Sequence, residues 1–207
     1  MEVFDLEGTR VVLVPVIRGL VSERPRVRTV VGEVRPTAIG ISISPEELEA
    51  LQAHFGGPVD ASGPEEEAYV ACLSAFGKVE KPPPCFSEAL AIGAELGLPL
   101  HPADMDEATF SEAYLRAVSG LDFVLTGIRA SRIRRWQPHA KTADAFVLAW
   151  DARVNRARGL RVLQREREAH MAARIRELSR TGGTLLSLVE LERARGVAER
   201  LRAYRPT

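Results

Sequence analysis

Residues 165–178 read Arg165-Glu166-Arg167-Glu168-Ala169-His170-Met171-Ala172-Ala173-Arg174-Ile175-Arg176-Glu177-Leu178. Arg180-Thr181-Gly182-Gly183 follow, then Thr184-Leu185-Leu186-Ser187-Leu188-Val189, then Glu190 to Leu201. Met171, Ile175 and Leu178 recur at helical spacing with charges between them. Gly182-Gly183 stops that helix, because glycine takes the left-handed conformation without a Cβ clash. Thr184 to Val189 has strand length, and its near-continuous apolarity suits a strand covered on both faces. Val197 and Leu201 start another helical stripe. The tail therefore reads helix, tight turn, central strand, helix.

The rest of the chain repeats this alternation. Arg10 to Ile17 is β-branched and apolar, a buried strand. Ser22 opens a helix to about Val34 with Pro25 in its first turn, and Pro36 ends it. Thr37 to Ile43 alternates as a second strand, and parallel pairing of these two strands is expected. Ser44-Pro45-Glu46-Glu47 is a capping box that starts a helix carrying Leu48 and Leu51. A further helix is predicted over Glu65–Phe76, with acids in its first turn. Gly77 to Pro84 is an extended segment that either lies over a site or connects. Phe86–Leu96 is a helix stopped by Gly97, and Leu98 to Asp104 is a short strand. Helix follows over Phe110–Val118. Leu121 to Ile128 reads equally as helix or strand. Thr142–Leu178 is mostly helical, with Phe146, Val147, Trp150 and Val154 in one stripe and Gly159 as the expected break. The reading is α/β: a central mixed, mostly parallel sheet with helices on both faces, in one domain spanning residues 1–207 with a helical insertion at about 108–180.

Composition narrows the function classes. Of 207 residues, 28 are Lys or Arg and 28 are Asp or Glu, so the formal charge is zero. That argues against nucleic-acid binding by the whole chain; Arg129, Arg132, Arg134 and Arg135 around Trp136 are the one basic segment that offers it, and the preferred reading of that segment is a solvated helix face with Trp136 packed inward. Cys72 and Cys85 are the only cysteines, too few for a disulfide framework or a zinc site, and read as free thiols. No apolar run reaches the ~20 residues that span a bilayer. The acidic start, Met1-Glu2-Val3-Phe4-Asp5, is not that of a signal peptide, so a cytoplasmic protein with no membrane partner is expected. A homo-oligomer is compatible with the sequence.

The motifs of the commoner chemistries are absent: there is no GxGxxG, P-loop, GxSxG or HExxH. The four histidines fall on separate elements, so no metal and no cofactor are expected. Asp104 ends a strand, where open α/β sheets place ligand chemistry. The competing role for Asp104 is to cap the next turn, and for Asp106 to cap the next helix.

In order and spacing the pieces resemble the TraB/PrgY family, whose fold is related to the Tiki proteases, erythromycin esterase and ChaN-like proteins. Val11 to Ile17, Ser22 to Pro36 and Thr37 to Leu51 match its opening strand, helix and strand and the helix that begins "PEEL". Glu88-Ala89-Leu90 to Leu100 and Asp104 match its "EA…A…LG…D" segment. Arg167 to Ala172 matches its "R-D/N-x-x-M-A" helix. Thr184 to Val189 with Gly196-Val197 matches its last strand and helix. The departures are as informative. Arg18 and Gly19 stand in the family's "GxxH" segment, Ser42 stands where it carries an acid, and Glu190 and Arg193 stand where it has glycine and histidine.

The resemblance implies a soluble domain that has lost the hydrolase groups and the membrane-spanning tail of many relatives. It would be a non-catalytic, regulatory binder of a small anionic ligand or peptide through Arg18, Ser42, Asp104 and Arg193. The alternative is a divergent hydrolase, metal-dependent or otherwise, using Glu88, Asp104, Glu190 and His101. If the alignment holds, Arg18 and Arg193 approach each other and Asp104, either through a closed cluster of acids or around a bound anion.

Overall fold

The computed structural model describes residues 1–53, 64–120, 122 and 140–204. Five strands form one mixed sheet: β1 (Glu2–Leu6), β2 (Thr9–Val16), β3 (Ala38–Ile41), β4 (Leu100–Pro102) and β5 (Thr184–Glu190), in the order β1-β2-β5-β3-β4. β1 is antiparallel to β2, and every other pairing is parallel. The helices are α1 (Glu23–Val34), α2 (Pro45–Ala53), α3 (Pro64–Leu73), α4 (Pro84–Leu96), α5 (Glu107–Ala117), α6 (Ala143–Val154), α7 (Arg158–Ser179) and α8 (Leu191–Ala203).

β5 is the central strand. Leu185, Leu186, Leu188 and Val189 are each at most 2% exposed, because helices cover both faces. Side chains alternate between two cores, as a pleated strand requires. Val12, Val14, Val16, Leu186 and Leu188 face α1, α2 and α4. Val11, Leu13, Leu185 and Val189 face Met171, Ile175 and Leu178 of α7 and Val197 and Leu201 of α8. A third cluster, built from Ile17, Leu20, Leu73, Phe146, Val147 and Trp150, lies beyond the end of β2. It seats α3 and α6 over the carboxyl edge of the sheet.

Several expectations are met atom by atom. Ser44 Oγ accepts from the Glu47 amide at 3.1 Å while Glu47 Oε2 accepts from the Ser44 amide at 3.2 Å, the reciprocal pattern of a capping box. Gly182 and Gly183 have φ of +80° and +86°, and Gly97 closes α4 at +66°. At Gly183 a Cβ would run into Thr37 Oγ1, so the loop into β5 also needs the missing side chain for space.

Others are corrected. The first two predicted strands are parallel but are not neighbours. β5 runs between β2 and β3 and pairs with both. Ser22 makes no side-chain cap to α1. The expected break into two helices is present, but it falls at residues 155–157 between α6 and α7 rather than at Gly159, which lies in the first turn of α7, where a Cβ would run into the Ala117 carbonyl. β1 is an addition to the strands expected from the sequence. It is an edge strand with Val3 exposed, tied to β2 by the two-residue Glu7-Gly8 turn, both at positive φ.

Candidate functional site: a cleft at the carboxyl edge of the sheet

The parallel strands all end on one edge, and each hands a polar residue to it. Arg18 follows β2, Ser42 follows β3, Asp104 lies two residues beyond β4, Glu190 closes β5, and Arg193 sits in the first turn of α8. α3, α6 and the extended segment 77–84 stand above this edge. Between them lies a cleft of about 840 Å³. Val79, Glu80, Lys81, Pro82 and Pro83 of the extended segment line one side, so this segment borders the site rather than merely connecting α3 to α4. Tyr69 of α3, Trp150 of α6 and Phe86 of α4 supply the aromatic wall.

Glu190 is the hub. It is 4% exposed, and its backbone N–H donates to Ser42 Oγ at 2.9 Å. Arg18 Nη1 donates to Glu190 Oε1 at 2.8 Å, and Arg18 Nη2 reaches Glu47 Oε1 at 3.1 Å. Arg167 approaches Glu190 Oε2 at 3.9 Å and donates directly to the Asp104 carboxylate. The chain of charges therefore runs Glu47–Arg18–Glu190–Arg167–Asp104. Burial alone would push Glu190 up, but Arg18 and Arg167 outweigh it and hold the carboxyl below the ordinary carboxylate range. Burial prevails at Asp104 and raises it against the pull of Arg167. Asp104 also accepts from the Met105 amide at 2.8 Å, and Asp106 caps α5 by accepting from Thr109 at 2.7 Å. The helix cap expected of Asp106 is present, while Asp104 holds the adjacent Met105 amide and the Arg167 guanidinium.

Arg193 builds a second cluster. Only 3% exposed, it donates to Asp151 of α6 and, at 3.2 Å, to Glu168 of α7. Glu168 also receives Arg200 at 3.0 Å. Gly196 permits this geometry, because a Cβ there would collide with the Glu168 carboxylate. The structure thus brings Arg18, Arg193, Ser42, Asp104 and Glu190 to one edge, with Arg18, Glu190 and Arg193 lining the cleft itself. Between Arg18 and Asp104 the closing groups are Glu190 and Arg167. Glu88 is not brought to the site. It pairs with Arg28 at 2.7 Å, across the α1–α4 contact. His101 is in the middle of β4, outside the cleft lining, and burial lowers its pKa.

No protein-family model matches the chain, and no curated protein matches it.

Several residues of this site escape the sequence reading. Arg167 is visible there as part of a helical motif, and the signal for its direction is its spacing: it lies four residues before Met171, on the face that packs against the sheet. Glu192 lines the cleft half-buried; burial, and then the charge of Glu190, push its carboxyl up to about 7. Tyr69 is raised by burial and by the nearby Glu192 and Glu190 charges. No group of three or more His, Cys, Asp or Glu among the described residues is arranged to hold a metal ion. Cys72 and Cys85 are free thiols, and burial pushes the Cys85 thiol up. Among the described residues no helix is long and apolar enough to cross a membrane. The basic segment Arg129–Lys141, with Trp136, lies outside the described residues except for Ala140 and Lys141.

Proposed function

We propose that this chain is a binding domain of regulatory type, a divergent relative of the TraB/PrgY-like proteins, whose cleft at the carboxyl edge of the sheet takes up a small organic ligand. The observation that carries this reading is the mutual engagement of the polar groups at the strand ends. Glu47, Arg18, Glu190, Arg167 and Asp104 form a continuous chain of ion pairs, and Arg193 is held between Asp151 and Glu168. A cation held on both sides by carboxylates is a positioned wall rather than a reactive group. The remaining surface, with Tyr69, Phe86, Trp150 and Val154, has the mixed apolar and polar character of small-molecule sites, and its volume is in their range. An anionic ligand or peptide terminus is the weaker fit, because it must displace Glu47 or Glu190 from Arg18.

A second reading, hydrolysis, is favoured by one specific feature. Glu190 is held ionised while its neighbour Glu192 is raised to about 7, and such a split is what a carboxylate pair needs to divide base and acid roles. Under that reading Glu192→Gln abolishes turnover of ester or amide substrates.

The binding reading is tested by thermal-shift screening of a small-molecule fragment set against the wild type and Val154→Trp, which places an indole in the cleft. Ligands that bind the folded state raise its midpoint. Compounds that stabilise the wild type are expected to lose their effect in the variant while its circular dichroism stays native. Stabilisation that persists in the filled variant would overturn the reading.

A further inference from the structure

Among the described residues, the charges lining the cleft do not balance. The four cationic side chains that the described residues place on its wall are paired: Arg18 with Glu47 and Glu190, Arg167 with Asp104, Arg193 with Asp151 and Glu168, and Lys81 with Glu66 at 2.5 Å. On the acidic side, Glu65 and Glu192 also line the cleft, and neither has a salt bridge among the described residues. Both are half-buried. Burying a carboxyl without a counter-charge is costly, and the charged form is the costly one. Burial raises both carboxyls accordingly, Glu192 to about 7 with the Glu190 charge adding to the effect.

These two acids flank an aromatic surface. Glu65 lies four residues before Tyr69, one turn away on α3, and Glu192 is close enough to raise the Tyr69 phenol. Tyr69 meets the Trp150 ring edge-on at a centroid separation of 5.5 Å, and both rings border the cleft. A carboxylate beside aromatic faces is the arrangement that receives an organic cation, through ion pairing at one end and cation–π contact along the rings. An inorganic ion has no apolar body to lie along the rings that border the cleft.

Resting on the reading of the cleft as a ligand site, we propose that its ligand is an organic amine, with an apolar body against Tyr69 and Trp150 and an ammonium group that meets Glu192, with Glu65 on the same wall. The ammonium meets two carboxylates that have no salt bridge among the described residues, adding to the partial help that Glu192 draws from Arg193 and a backbone N–H. Binding an anion, by contrast, would add a third unpaired negative group.

The test compares three probes with one apolar body and different ends: phenylbutylamine, phenylbutanol and phenylbutyrate. Their affinities are measured by isothermal titration calorimetry above neutral pH, where Glu192 is ionised. The amine should bind at least about tenfold more tightly than the alcohol, a gap of ~1.4 kcal/mol, and the carboxylate most weakly. Glu192→Gln and Glu65→Gln should each narrow the gap between amine and alcohol, and both neutral replacements preserve size where no ion pair is lost. If the alcohol or the carboxylate binds the wild type as well as the amine does, the cation inference fails and the cleft remains a ligand site. If none of the three binds, both fail. An amine advantage that neither glutamine variant reduces would place the amine elsewhere and overturn the proposal.

Discussion

Arg193→Glu probes the edge network most severely. The Arg193 side chain is 4% exposed and is the cation shared by Asp151 and Glu168, whose side chains are 26% and 13% exposed. Removing one partner of a buried pair costs about 3–5 kcal/mol, because the other is left charged and desolvated. The partial exposure of Asp151 lets water share that burden, so the lower end, about 3 kcal/mol, applies to simple loss of the cation. Reversal adds a carboxylate beside Asp151 and Glu168, within the field of Glu190. For a chain of this size each 1 kcal/mol shifts the midpoint by roughly 2–4 °C, so a fall of about 6–12 °C or more is expected. Arg193→Met, which retains the buried stem, should fall less than Arg193→Glu. The assay is thermal unfolding by circular dichroism without ligand, at neutral pH and low and high salt. Buried pairs are weakly screened, so the loss should persist at high salt. A midpoint within about 2 °C of wild type would mean that Arg193 is held for a ligand rather than for the fold, and would refute the structural role of the network.

Gly183→Ala combines a positive φ with a contact on Thr37, and should cost about 1–3 kcal/mol in denaturant unfolding. Ser42→Ala removes the hydroxyl that accepts from the Glu190 amide, and should cost about 1 kcal/mol in the same assay. Glu192 gives a pH signature with a definite sign. Its folded pKa, about 7, lies above the ordinary 4.5, so the folded state binds the extra proton. Its contribution is therefore most favourable below pH 4.5 and is lost as pH rises toward 7. Between those two values the stability of the wild type should consequently fall relative to Glu192→Gln, by up to about 1.4 kcal/mol for each step of one in pH. Parallel curves for the two proteins would refute the placement of Glu192.

The sheet is legible in the sequence because apolar runs carry their own address. Thr184–Val189 could only be central, and Ser44–Glu47 could only start a helix. β1 is less legible, since Glu2–Leu6 is short, half polar and exposed on one side, and its signal lies in the Glu7-Gly8 turn. The neighbour of β2 is misjudged from the sequence because proximity along the chain favours β3, whereas burial favours β5. At the site, residues at strand ends are accessible to reasoning, since Arg18, Asp104 and Glu190 follow apolar runs directly. Partners set by helix packing are not. The spacing of Arg167 from Met171 marks its face, but which groups Arg167, Asp151 and Glu65 meet at the cleft depends on how α7, α6 and α3 dock, and no local pattern encodes that docking.

A crystal structure of the protein soaked with phenylbutylamine tests the central claim most directly. The account predicts the amine in the cleft, its nitrogen about 3 Å from the Glu192 carboxylate and its ring against Tyr69 or Trp150. Phenylbutylamine bound outside the cleft, or lying in it with the ammonium turned away from Glu192 and Glu65, would contradict it.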